Sequence, residues 1–167
     1  MFSDAAKRFQ KERGSREIYA RMEEKGAFNT AITDELEDFL ATIDTAFLAS
    51  ASKDGDPYVQ HRGGPPGFVR VIDEHTLGFV DFAGNRQYIT TGNLSENDRV
   101  CLLVMNYEER RRVKIWGRAR VVPLTDELRE LLDDPSYRAK REQAILITVT
   151  RWDVNCPQHI PRKVNVP

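Results

Sequence analysis

Two short runs in this 167-residue chain carry residue types that grip anions: Gln60-His61-Arg62-Gly63-Gly64 and Gly84-Asn85-Arg86. In the first, an arginine ends an expected strand and is followed by glycines whose N–H groups are unobstructed, a pattern suited to cradling phosphate. In the second, Gly-Asn-Arg opens an expected helix, where free N–H groups and the helix dipole attract an anion and Arg86 adds a charge-assisted bond. Each run also has a plainer reading. The glycines serve a turn, Arg62 pairs with a carboxylate, and Asn85 caps the helix. A third concentration lies on one strand, Arg111 to Val122. Alternation there sends Val113, Ile115, Gly117, Ala119 and Val121 one way and Arg112, Lys114, Trp116, Arg118 and Arg120 the other. Four cations around an indole form a solvated face, an anion site or a surface for a partner subunit.

Other chemistries lack their signatures. No G-x-G-x-x-G follows a strand, and there is no G-x-x-x-x-G-K-[ST] and no G-x-S-x-G around any serine. Cys156 and His159 form a lone C-x-x-H without a second ligand pair, so no metal is expected. His61 and His159 are the histidines near a suggested site whose ordinary pKa lies near neutrality, but no residue is marked as catalytic.

Composition sets outer bounds. The chain carries 25 Lys+Arg against 26 Asp+Glu, a formal charge of −1, which stands against a dedicated nucleic-acid binder. The cationic face around Trp116 would otherwise suit base stacking. Of the 25 basic residues only 7 are Lys, and Arg is favoured where phosphate or carboxylate is gripped bidentately. Two cysteines make no secreted disulfide framework, and the apolar runs are too short to span a membrane. No signal-like segment opens the sequence, so the expected compartment is the cytoplasm.

The elements that must position these residues follow from periodicity. Ser3 to Lys25 predicts two short helices joined at Gly14, the second burying Ile18, Tyr19 and Met22 before Gly26. Thr33 caps a third helix with the stripe Leu36, Phe39, Leu40, Ile43. Residues 1–43 are thus expected to form a helical cap on one domain spanning 1–167. From Thr45 the period becomes two. A hairpin is expected from Thr45 to Ser50 and Pro57 to Arg62 around Asp54-Gly55. Strands then follow at Phe68 to Ile72, Thr76 to Asp81, Arg99 to Asn106, Arg111 to Val122 and Ala144 to Trp152. Asn85 to Thr91 reads as a short helix stopped by Gly92, and Thr125 caps another with Leu128, Leu131 and Leu132. Hairpin-spaced strands with few intervening helices favour a mainly β fold with peripheral helices, an antiparallel barrel of six to seven strands.

The run from Thr45 to Val121, with "DGDPYVQHRGG", "GFVRVIDEHTLGFVDFAGNRQYITTGNLSENDRVCLLVMN" and "VKIWGRARVV", resembles the pyridoxamine 5′-phosphate oxidase-like FMN-binding split barrels. The resemblance implies a split β-barrel homodimer with FMN in clefts at the subunit interface. It implies that Gly84, Asn85 and Arg86 form the phosphate-binding turn, that Gln60, His61, Arg62 and Gly63 lie along the flavin, and that Arg112 and Lys114 approach it. Trp152 and Arg162 have the ten-residue spacing of a Trp and Arg that such oxidases use beside FMN and substrate. The oxidases proper carry an R-x-V-L-L-K strand and an R-x-H motif. Here the matching stretches are Tyr58 to Gly63 and Gln158-His159-Ile160. The resemblance therefore implies a flavoprotein acting on some small-molecule substrate, or a non-catalytic flavin or haem binding or sensing protein on the same fold.

Overall fold

The computed structural model describes residues 2–26 and 28–164; the outermost ends of the expected domain, Met1 and residues 165–167, lie outside them. Seven strands form one antiparallel sheet in the order β2-β1-β5-β6-β7-β4-β3. They are β1 Thr45–Ala51, β2 Pro57–Gly63, β3 Arg70–Asp73, β4 Thr76–Phe82, β5 Arg99–Asn106, β6 Arg111–Val122 and β7 Arg141–Asn155. Five helices flank them: α1 Asp4–Glu12, α2 Arg16–Glu24, α3 Asp34–Ala41, α4 Ile89–Glu96 and α5 Asp126–Leu132. The expected mainly β antiparallel architecture is the one observed, with seven strands.

Alternation sets which face fills the core. In β6 the inward series Val113, Ile115, Gly117 and Ala119 is buried, as period two requires. Leu48, Leu102, Ile115, Ile147, Phe79 and Trp152 meet inside, and α3 closes the core with Leu36, Phe39, Leu40 and Ile43. Thr33 Oγ1 accepts the Leu36 N–H at 3.4 Å, which satisfies a first-turn donor as expected of a cap. The β6–β7 ladder slips at Trp116/Gly117, leaving Thr150 as the extra residue of a bulge. Gly117 is needed there, because a Cβ on it would lie 2.4 Å from the Thr148 carbonyl oxygen.

Three expectations fail on local grounds. The helix expected at Asn85 begins at Ile89, because Arg86 (φ 60°) and Tyr88 (φ 54°) are left-handed; it then continues through Gly92 to Glu96. The expected Phe68 start of β3 moves to Arg70, since the Phe68 N–H closes a turn onto the Pro65 carbonyl at 3.0 Å. Neither α1 nor α2 buries a residue, and Ile18 is 63% exposed. That helix pair is held by polar links, with Arg16 joined to Gln10 and Glu23 and Lys7 3.3 Å from Glu23, and by the Phe2 ring edge-on to Tyr19 with centroids 5.2 Å apart.

Candidate functional site

β2 and β4 are not hydrogen-bonded neighbours, so the sheet has a seam, and side chains close it. Cross-strand pairing sets Arg62 opposite Ala46 and Gln60 opposite Leu48, on the face those buried residues occupy. Arg62 Nη1 donates to Asp81 Oδ1 on β4, with the two side chains 11% and 10% exposed. Arg62 Nη2 donates to Gln60 Oε1 at 3.2 Å, and that oxygen also accepts from Thr90 Oγ1 at 2.8 Å. Gln143 Nε2 on β7 donates to Asp81 Oδ2 at 2.9 Å and to Thr91 Oγ1 at 3.2 Å. Arg62 Nε is buried without a partner. The network joins β2, β4, β7 and the first turn of α4 across a gap that backbone hydrogen bonds do not cross.

A cleft with two adjoining lobes opens over this seam. One, about 460 Å³, is lined by Gln60, His61, Arg62 and Gly63 together with Phe68 and Tyr137. The other adds Asn85, Arg86, Tyr88, Thr90, Thr91 and Glu142, and both share Arg62, Asp81 and Gly84. Asn85 Oδ1 accepts the Gln87 N–H at 3.2 Å, so Asn85 shapes the loop and caps no helix. Arg86 Nε donates to Tyr88 Oη at 3.1 Å, and Tyr88 donates on to Glu142 Oε1 at 2.7 Å. The bond to Tyr88, reinforced by Glu142, holds the Arg86 guanidinium above its ordinary pKa. No side chain caps α4, whose Thr90 and Thr91 line the cleft, so its first N–H groups are not taken by a capping side chain.

The outer face of the sheet carries two cross-strand rows. One runs His61, Phe47, Leu103, Lys114, Asp153 and the other Val59, Ala49, Cys101, Trp116, Arg151. His61 meets Phe47 edge-on with ring centroids 5.7 Å apart, and the Arg151 guanidinium lies 4.8 Å from the Trp116 ring centre. Burial pushes the Asp153 carboxyl above its ordinary pKa, and Lys114 draws it back. Arg112 Nε and Arg151 Nε are buried without partners. The face is thus apolar and cationic, and His61 makes it continuous with the cleft.

Residues 32–156 match the sequence model for pyridoxamine 5′-phosphate oxidase. The chain belongs to the pyridoxamine 5′-phosphate oxidase family. The fold is shared with solved structures, of which two serve as examples. HupZ of Group A Streptococcus aligns with TM-score 0.56 and 15% identity over 80% of this chain and 99% of its own. A candidate pyridoxamine 5′-phosphate oxidase of Lactobacillus delbrueckii aligns with TM-score 0.54 and 18% identity over 75% of this chain and 95% of its own. No curated protein matches the sequence.

Within this split barrel of the pyridoxamine 5′-phosphate oxidase family, the residues singled out from sequence fall into four places. Gln60, His61, Arg62, Gly63, Asn85 and Arg86 line one cleft. Arg112 and Lys114 lie on the outer face of β6, away from that cleft in this chain. Trp152 is 2% exposed and its indole N–H donates to the Ala31 carbonyl at 2.8 Å, so it is a core residue and lines neither lobe. Arg162 is exposed on a tail pinned by Arg110 Nε donating to the Ile160 carbonyl at 3.0 Å. Sequence reading missed Asp81, Gln143, Tyr88 and Glu142. For Asp81 a signal existed: a carboxylate in the apolar strand TLGFVDF must find a partner if it is buried. Among the described residues no group of three His, Cys, Asp or Glu could hold a metal, and no helix is long and apolar enough to cross a membrane.

A flavin mononucleotide fits these donors. The larger lobe falls in the roughly 300–1,000 Å³ range of small-molecule sites. A buried guanidinium N–H of Arg62 is unsatisfied beside it, and Arg86 with the start of α4 faces the second lobe.

Proposed function

We propose that this chain is an FMN-binding flavoprotein that acts as an oxidoreductase on a small-molecule substrate, as a homodimer with its cofactor sites at the subunit interface. The supporting observation is the convergence of Gln60–Gly64 and Gly84–Arg86 on one cleft in a member of this family. Arg86, the Thr90 and Thr91 hydroxyls and the first N–H groups of α4 take the phosphate side, and Arg62 supplies the inner cation. Gln60 to Gly63 line the ring edge, where strand backbone presents both donors and acceptors. When bound, the isoalloxazine supplies the redox chemistry, and the chain contributes grip, ring orientation and the surrounding field. One of the outer rows ends at His61, so a second copy seated there walls the open side of the cleft. In that arrangement Arg112, Lys114 and Arg162 approach the flavin from the partner chain.

The visible spectrum of purified protein, followed by mass spectrometry of what denaturation releases, tests the cofactor. A flavin spectrum and released FMN are expected; colourless protein that ignores micromolar FMN overturns the reading, and a Soret band replaces flavin by haem. Turnover of bound flavin by NADH or NADPH is expected of an oxidoreductase. Retention of flavin without such turnover leaves a binding protein and removes the enzyme.

A further inference from the structure

The cleft holds cations at Arg62 and Arg86, and the chain itself supplies carboxylates at Asp81 and Glu142. The two pairs are not alike. Glu142 reaches Arg86 only through Tyr88, on an exposed loop. Asp81 is bonded directly to Arg62, both side chains are about nine-tenths buried, and Gln143 fixes the second carboxylate oxygen at 2.9 Å. At so buried a position a neighbouring negative charge is screened less than one on the surface. A ligand phosphate entering the cleft therefore meets an Arg62 whose charge is already matched.

We propose that Asp81 is an internal competitor for Arg62. Its carboxylate occupies the guanidinium that a ligand phosphate would take, and so sets how strongly the cleft distinguishes phosphorylated from unphosphorylated ligands. The pair also explains why Arg62 is tolerated at the seam, since a buried cation without a counter-ion costs far more than a paired one. Asp81 is a specificity-determining residue, and the proposal rests on the flavin reading only for one of its two probes.

Two ligands test it. Inorganic phosphate is followed by thermal shift, and FMN is compared with riboflavin by fluorescence titration. In Asp81→Asn the shape is kept and the charge removed. The unliganded variant melts below wild type, inorganic phosphate raises its Tm more than it raises that of wild type, and FMN binds about tenfold more tightly, with riboflavin little altered. Adding Arg62→Gln to Asp81→Asn abolishes the gain. Weaker phosphate and FMN binding by a folded Asp81→Asn overturns the proposal, as does a gain that survives Arg62→Gln.

Should Asp81→Asn fail to fold, Arg86→Ala decides, because it removes the other cation. With Arg62 masked, that variant keeps an FMN preference over riboflavin below about tenfold, whereas an open Arg62 clamp keeps well above about tenfold. If neither flavin binds wild type or variant, the flavin reading fails, and the inorganic phosphate shifts still judge Asp81.

Discussion

Arg62 and Arg86 carry the same charge into one cleft, but their surroundings give them different work. Arg62 is buried and bonded to Asp81, so it holds the seam as much as it faces a ligand. Arg86 sits on a solvent-exposed loop, tethered by Tyr88, and can turn to a phosphate without unpairing a buried charge. Arg86→Ala is expected to weaken FMN binding by about one to two decades in Kd, and exposed Arg120→Ala on β6 to leave it within about threefold, both by fluorescence titration. Equal losses from Arg86→Ala and Arg120→Ala remove Arg86 from the site. The two cysteines differ as sharply. Burial raises the Cys101 thiol above its ordinary pKa, against smaller opposing pulls from Lys114 and Arg151, so less of it is thiolate near pH 8 than of an ordinary thiol. A colorimetric thiol reagent should label exposed Cys156 first, and faster labelling of Cys101 contradicts this.

At the scale of elements, the site depends on one loop and one bulge. Left-handed Arg86 and Tyr88 delay α4 to Ile89, which brings Thr90 and Thr91, and not Asn85, to the start of the helix beside the cleft. The β6–β7 bulge turns on Gly117, packed against the Thr148 carbonyl. Gly117→Ala should cost roughly 1–3 kcal/mol in urea unfolding, with the backbone contact favouring the upper end. A change below about 0.5 kcal/mol means that β7 gives way easily. Trp152 joins the segment before α3 to β7, through its indole bond to Ala31 and its own backbone N–H to the Asn29 carbonyl at 2.9 Å. Trp152→Phe leaves the part-buried Ala31 carbonyl without its indole donor and opens a small void, for roughly 1–3 kcal/mol in the same measurement. An unchanged midpoint contradicts a structural role.

For the whole molecule, the proposed dimer rests on the outer face. Phe47, Leu103, Cys101 and Trp116 lie in two cross-strand rows beside half-buried cations, and β2 carries Val59 outward at 59% exposure. On the proposed reading the flavin lies outside the barrel, whose interior is packed with side chains, and needs a second wall. The proposed twofold dimer supplies that wall twice. Trp116→Glu should weaken dimerisation and flavin retention together, by burying an unpaired charge where an aromatic packs. Sedimentation and bound-flavin stoichiometry decide it: a monomeric wild type that keeps FMN, or a dissociated variant that keeps it, breaks the shared-site argument.

By itself the sequence determined the repeating parts. Period two in Arg111 to Val122, the α3 stripe from Leu36 to Ile43 and the caps Thr33 and Thr125 were legible, because local geometry and burial impose them wherever the chain goes. Strand spacing carried the barrel, and the motifs around Gln60–Gly64 and Gly84–Arg86 carried the cleft. Only the tertiary structure decided who meets whom. Nothing near Arg62 in sequence announces Asp81, 19 residues away, or Gln143, 62 residues beyond Asp81; Arg62 meets Asp81 because β2 and β4 face each other across a seam without backbone pairing, and Gln143 meets Asp81 as its cross-strand partner in the β4–β7 ladder. The family resemblance implied a ligand role for Trp152, but its β7 position puts the side chain in the core of this chain. An alternating strand has two faces, and which one is interior is settled by the strands that pack beside it.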